Sequence, residues 1–118
     1  MNIDDRSVSG WASQVAPQAW MVVCAVMSSY DRIYVGATSA PERRLARHDA
    51  GPARWSKMVL LFKTSSLAAA ASVEKTLIAK ARASNFRLDP DNVAPGGEGL
   101  PLGKPTYWVY ALVARKAT

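Results

Sequence analysis

The sequence predicts a small α/β (α+β) domain. It has a central, mainly antiparallel β-sheet that begins with a β-hairpin, is flanked by helices and carries an extra C-terminal strand. The length of 118 residues suits one compact domain, and an apolar fraction of 49% is enough for a core. Short apolar runs typical of strands alternate with stretches that carry helix signals, which predicts a sheet covered by helices.

The first two expected strands form the hairpin. Trp20 to Met27 is a short, continuous apolar run rich in Val, which predicts a buried strand. A polar break follows at residues 28–31, and Arg32 to Gly36 predicts the second strand. We expect residues 1–19 to be an N-terminal extension packed on a domain that spans residues 20–118.

Two helices are expected after the hairpin. Ser39 is a suitable N-cap and a proline suits the first turn, which predicts a helix from about Ala40 to His48. Ser65 or Ser66 can cap a longer, alanine-rich helix from Leu67 to about Ala83.

The remaining elements are two strands and a long loop. Lys57 to Thr64 is an apolar run and predicts the third strand of the sheet. Residues 84–105 contain four Pro and four Gly, which predicts a loop too long to be a plain connector. Tyr107 to Ala114 is apolar and aromatic and predicts the terminal strand.

Composition narrows the class of partner. Fifteen Lys and Arg against nine acids give a formal charge of +6, which favours a polyanion such as DNA. Cys24 is the only cysteine, so an internal disulfide is excluded, and we expect a buried thiol. One Cys and one His do not make a structural zinc site. With no long apolar run and no basic leader, we expect a cytoplasmic protein without a membrane partner.

A spaced set of polar residues follows the second predicted strand. Tyr34 begins a Tyr-Val-Gly segment, Arg44 comes ten residues later, and His48 lies one helical turn beyond Arg44. Glu74 lies in the second helix, and residues 92–99 form an Asn- and Gly-rich segment. This order resembles the GIY-YIG nuclease superfamily over about residues 20–100. Its second signature is a Tyr-Ile/Val-Gly strand end followed by a helix with this Arg, and its single metal-binding acid lies in a later helix.

The resemblance implies a metal-dependent endonuclease that hydrolyses DNA phosphodiester bonds. Glu74 would hold one Mg²⁺ or Mn²⁺, and water and phosphate oxygens would complete the coordination shell of the ion. No other cofactor is implied. Arg44 can donate two hydrogen bonds from its planar guanidinium to the scissile phosphate. His48 could orient water or protonate the leaving group. Tyr34 would position or deprotonate the attacking water.

The other expected site residues are an asparagine and a set of cations. Asn92 is our choice for the asparagine that braces the metal shell or the substrate, and Asn85 is the alternative. The expected contacts to the DNA backbone are all basic: Arg43, Arg47, Arg54, Lys57 and Lys63.

The chain departs from the family pattern at the first signature. A Gly-Ile/Val-Tyr should fall near residues 21–23, but Val23 stands where its Tyr is expected. Either another group such as Tyr30 compensates, or the domain is a catalytically inactive DNA-binding module that retains the fold. A purely structural or partner-binding domain would bind neither DNA nor metal. The oligomeric state, the DNA target and the biological pathway stay open.

Overall fold

The architecture is an open four-stranded sheet with three helices. The computed structural model describes residues 8–51, 55–89 and 100–115, the first eight of them by backbone alone. The elements follow in the order α1 (Val8–Met27), β1 (Arg32–Thr38), α2 (Pro41–Asp49), β2 (Lys57–Thr64), α3 (Leu67–Ala83), β3 (Arg87–Leu88) and β4 (Tyr107–Ala114). The strands are arranged β2-β4-β1-β3. The α+β class with flanking helices is confirmed.

The segment predicted as the first strand belongs to helix α1, so the predicted strand over 20–27 and the hairpin are wrong. Ala16, Ala19 and Val23 are buried in α1, and their spacing of three and four residues is that of one helix face. A short apolar run has no period that separates a buried strand from a buried helix. Here the helix packs that face against α3 and the sheet.

Apolar residues on the other face of α1 make the run over 20–27 continuous. Met21 and Val22 are 71% and 42% exposed, so apolar residues occupy the solvent side as well. Cys24 is also exposed, which corrects the expectation of a buried thiol. The helix continues without a break through residues 19 and 20, where the expected extension would meet the domain.

The strand that pairs with β1 comes from the far end of the chain. β4 runs antiparallel to β1 on one side and to β2 on the other, so it lies in the middle of the sheet. It therefore supplies the antiparallel neighbour that the predicted hairpin would have given. β3 lies in the predicted loop and pairs parallel with β1 over two residues, too few to leave a sequence signal.

The two faces of the sheet have different roles. One face packs against α1 and α3 and holds the main hydrophobic core, to which alternate strand residues contribute: Ile33, Val35, Ala37, Val109, Ala111 and Val113. The opposite face carries Tyr34 and Tyr110, and α2 contacts both rings through His48. We call this opposite side the α2 face.

Helices α2 and α3 and strands β2 and β4 begin and end close to their predicted bounds. The Ser66 side chain accepts a hydrogen bond from the Ala69 N–H at 3.1 Å, which confirms the predicted cap of α3. The cap of α2 differs, because Ala40 and not Ser39 is the N-cap, and Thr38 Oγ1 accepts from the Ala40 N–H at 3.1 Å. Within the described ranges, no helix has the length and apolarity needed to cross a membrane.

Candidate active site

Three predicted site residues meet on the α2 face, together with one that was not predicted. The ring centroids of Tyr34 and His48 are 4.8 Å apart, edge to face. His48 Nε2 lies 2.9 Å from the Tyr110 hydroxyl, and Arg44 forms a side-chain hydrogen bond with Tyr110. The i, i+4 spacing on α2 puts Arg44 and His48 on one helix face, and strands β1 and β4 bring the two tyrosines beneath it.

The Tyr110 hydroxyl lies between Arg44 and His48. A guanidinium has donors only, so the Tyr110 oxygen accepts from Arg44. The bond to His48 can run in either direction, because a neutral imidazole either accepts the phenol proton at Nε2 or donates an Nε2 proton to the phenol oxygen. In the second arrangement Nδ1 keeps its lone pair and can accept a proton.

The electrostatics of the cluster favour the neutral form of His48. Burial, followed by the charges of Arg44 and Arg47, lowers the pKa of His48 below 6.5, and Asp89 and Asp49 oppose the shift only partly. His48 is therefore a neutral imidazole near pH 7.

Burial also raises the pKa of the Tyr110 phenol well above its usual range. The charges of Tyr34 and Glu74 act in the same direction, while Arg44 opposes them. The phenol of Tyr110 therefore stays protonated and serves as a hydrogen-bonding bridge.

Glu74 lies close enough to the cluster for its charge to act on Tyr110. It sits on the buried side of α3, next to Val73 and Leu77, and is only 8% exposed. A carboxylate is costly to bury unless its charge is compensated, and a hard divalent cation can do this. The described residues contain no group of three Asp, Glu, His or Cys that could hold a metal ion. A cation held at Glu74 would have this one carboxylate as its protein ligand and would fill its shell with water and phosphate oxygens.

An open cleft of about 160 Å³ lies beside Arg44. Three arginines of α2 line it, and two of them, Arg43 and Arg47, are exposed. The rest of the lining comes from the β1–α2 turn and from Pro101, with Thr38 and Ser39 contributing hydroxyl groups. We call this feature the arginine cleft. Arg44 therefore belongs both to the cleft and to the cluster.

Of the two predicted asparagines, Asn85 lies among the described residues. Asn92 lies outside the described residues, as does Arg54. Asn85 is exposed and has a φ of 59°, which Asn tolerates better than most residues. Its N–H donates to the Arg82 carbonyl at 3.2 Å, and the Phe86 N–H donates to Ala81 at 3.1 Å. This pair of bonds is a Schellman motif, so Asn85 has a structural role in ending α3.

The two predicted lysine contacts lie apart along the edge strand β2. Lys57 and Lys63 are both exposed, one near each end of the strand. The Nζ of Lys57 lies 5.4 Å from the centroid of the Tyr30 ring. Tyr30, a candidate to replace the missing signature tyrosine, thus contacts this cation instead of the His48 cluster.

Sequence reasoning missed Tyr110 of the cluster, and also Asp89, whose charge acts on His48. Val23 is buried in the core of α1, so the segment around it does not face the cluster, and the second tyrosine is Tyr110 from β4. The Val109-Tyr110 pair lies in the predicted terminal strand, far along the chain from residues 21–23, where the first signature is expected. Asp89 is buried at 6% exposure and its N–H donates to the Ile33 carbonyl. No sequence signal marks Asp89, because its position depends on the two-residue strand β3.

No protein-family model, no curated protein and no solved structure matches this chain significantly.

Proposed function

We propose that this protein is a metal-dependent endonuclease that hydrolyses DNA phosphodiester bonds. The observation that carries the proposal is the cluster of Tyr34, Arg44, His48 and Tyr110, with the buried carboxylate of Glu74 acting on it. A phosphoryl hydrolase needs an anion donor, a proton acceptor and a place for a cation. The resemblance of the Tyr-Val-Gly, Arg and His spacing to the GIY-YIG nucleases supports the same chemistry. The cytoplasm is the compartment that we propose for it.

Arg44 would bind the scissile phosphate. One of its N–H groups is used on Tyr110, and a guanidinium has five, so donors remain for the two non-bridging oxygens. The neighbouring Arg43 and Arg47 would hold flanking phosphates in the arginine cleft. The net charge of +6 adds a sequence-independent attraction to the DNA backbone.

His48 and Tyr34 would prepare the attacking water. Because the pKa of His48 is lowered, its imidazole is neutral near pH 7, and its Nδ1 would accept a proton when Nε2–H donates to the Tyr110 oxygen. This favours a general base over the alternative role of protonating the leaving group. Tyr34 packs on His48 and would orient the water through its hydroxyl. The water oxygen bonds to phosphorus as the bond to the leaving sugar oxygen breaks, and the leaving oxygen takes up a proton.

Glu74 would hold the Mg²⁺ or Mn²⁺ ion. The chemistry that such an ion supplies when bound is a lower pKa for a coordinated water and neutralisation of phosphate charge. The contribution of the chain is a carboxylate buried beside Val73 and Leu77, where it is anchored on a helix of 17 residues.

Nicking of a supercoiled plasmid by the purified protein tests this function. We expect relaxation in Mg²⁺ or Mn²⁺ and none in EDTA. Arg44→Ala should slow cleavage by about 10²- to 10³-fold, the loss typical of one transition-state donor. Lys75→Ala on the exposed side of α3 is the charge-matched control and should cleave like the wild type. DNA binding without cleavage in either metal would instead support the inactive DNA-binding module.

A further inference from the structure

Three cations from separate parts of the chain meet at one end of the sheet. Arg32 begins β1, Lys57 begins β2, and Arg115 directly follows β4. The register explains the meeting, because the last residues of β4 pair with the first residues of both neighbours: Ala114 with Arg32, and Val113 with Lys57.

Two aromatic rings lie beside these cations, one on each face of the sheet. Arg32 lies on the α2 face with Tyr34, whereas Lys57 pairs with Val113 of the core face. The Arg32 guanidinium carbon is 4.6 Å from the centroid of the Trp55 ring. The Lys57 ammonium and the Arg115 guanidinium carbon are 5.4 and 5.7 Å from the centroid of Tyr30. These are cation–π distances, so each ring is held beside a positive charge. We call Tyr30, Arg32, Trp55, Lys57 and Arg115 the aromatic end of the sheet.

The Arg32–Trp55 pair of the aromatic end is continuous with the candidate active site. The ring centroids of Trp55 and Tyr34 are 6.2 Å apart, and Tyr34 in turn packs on His48 at 4.8 Å. A row of rings therefore leads from His48 through Tyr34 to Trp55. A strand bound along this row would pass directly from the cluster to the aromatic end.

Tyr30, Arg32 and Trp55 are half-buried, and Lys57 and Arg115 are exposed. The nearby carboxylate of Asp31 is paired with a fourth cation, Arg87, at 3.2 Å. Accessible aromatic faces interleaved with cations are the surface chemistry that binds single-stranded nucleic acid, through base stacking and phosphate contacts.

We propose that the α2-face part of the aromatic end binds an unpaired segment of a DNA strand, with a base stacked at Trp55 and a phosphate on Arg32. A base inside a duplex hides its faces against its neighbours, so this surface prefers DNA that is single-stranded next to the cleavage point. The inference rests on the proposed function for the choice of DNA as ligand and extends it to the class of substrate.

Binding of oligothymidylate to the wild-type protein tests the inference without any substitution. Fluorescence anisotropy in EDTA excludes cleavage, and an abasic oligonucleotide of equal length and charge is the matched ligand. We expect the thymine strand to bind about 5- to 150-fold more tightly for each base that stacks. Equal affinity for the two strands would overturn the proposal, because only phosphate contacts would then be present.

Variants locate the stacking. Trp55→Ala should weaken oligothymidylate binding and leave duplex binding unchanged, while Trp55→Phe should retain most of the affinity. Arg32→Ala should weaken binding more than Lys75→Ala, which removes the same charge from α3. Unchanged affinity in both Trp55 variants would contradict the assignment.

Binding and cleavage can fail independently. Tighter binding of oligothymidylate than of the abasic strand in EDTA, together with a plasmid that stays intact in Mg²⁺, would contradict the proposed function alone. Nicking in Mg²⁺ with no preference for bases over abasic sites would sink this inference alone.

Discussion

Tyr110 and Gly36 face each other across the β4–β1 pair, and the phenol of Tyr110 fills the space above Gly36. A Cβ placed on Gly36 would stand 2.6 Å from the Tyr110 hydroxyl oxygen and 2.7 Å from its ring carbon Cζ. It would also stand 3.0 Å from Cε1 of Tyr34. The glycine of the Tyr-Val-Gly segment is thus required by the two tyrosines packed on it, since any side chain there would displace the phenol that joins Arg44 to His48.

The first prediction follows from this contact. Gly36→Ala should lower the free energy of unfolding by about 1–3 kcal/mol, because the new methyl group overpacks a site closed by buried Tyr110. Denaturant melts measure the change. In a Tyr110→Ala background the same substitution should cost much less, since the clashing atoms are gone. Equal costs in the two backgrounds would mean that the phenol does not determine the need for glycine.

Removing only the Tyr110 hydroxyl should damage the site more than the fold. Tyr110→Phe leaves the ring in place but deprives Arg44 and His48 of their shared partner. We expect a loss of about 0.5–3 kcal/mol in the free energy of unfolding, within the range for one hydrogen-bonded group with a charged partner. Plasmid cleavage should fall clearly below that of Tyr107→Phe, which also removes a bonded hydroxyl but from the opposite sheet face. Similar cleavage by the two variants would argue against a bridging role for Tyr110.

The lowered pKa of His48 predicts a pH dependence with a defined sign. As the pH falls below 6.5, the unfolded chain takes up a proton on His48 before the folded one does. Stability is therefore fully present above pH 6.5 and decreases as the pH falls toward the folded pKa. Chemical denaturation at about pH 7.5 and about pH 5 measures this loss. His48→Gln should reduce the loss, and an unchanged loss would assign it to other groups.

The arginine cleft predicts a salt dependence of DNA binding. Arg43→Ala and Arg47→Ala should each reduce the slope of log affinity against log salt by about 1, because each removes one phosphate contact. Anisotropy with a short duplex in EDTA gives the slope, and Lys75→Ala serves as the control on a different helix. Slopes equal to that of the wild type would remove the cleft from the DNA interface.

Elements with strong local signals could be predicted from the sequence. The bounds of β2 and α3 agree with prediction, since an apolar run and a capped alanine-rich segment each specify their own backbone. The predicted strand over 20–27 is wrong because Met21 and Val22, on the solvent side of α1, are as apolar as the buried Val23. Local pattern carries no information that distinguishes these two environments.

The site was predictable only where its residues follow one another closely. Tyr34, Arg44 and His48 lie on one strand and the next helix, so their spacing fixes their meeting. Tyr110 joins them through pairing between β1 and β4, which are separated by most of the chain. Local sequence does not specify such long-range pairing. The motif predicts the second tyrosine near Val23, whereas the structure supplies it from β4.

Loss of cutting on neutralising Glu74 is the most direct test of a metal-dependent nuclease. Wild type, Glu74→Gln and Glu74→Ala would be compared on supercoiled plasmid in Mg²⁺ and Mn²⁺, with circular dichroism to verify that each variant is folded. The wild type should nick the plasmid and both variants should be silent, because neither retains the carboxylate for the ion. Metal-dependent nicking by folded Glu74→Gln at the wild-type rate would contradict the assignment of Glu74 and with it the site described here.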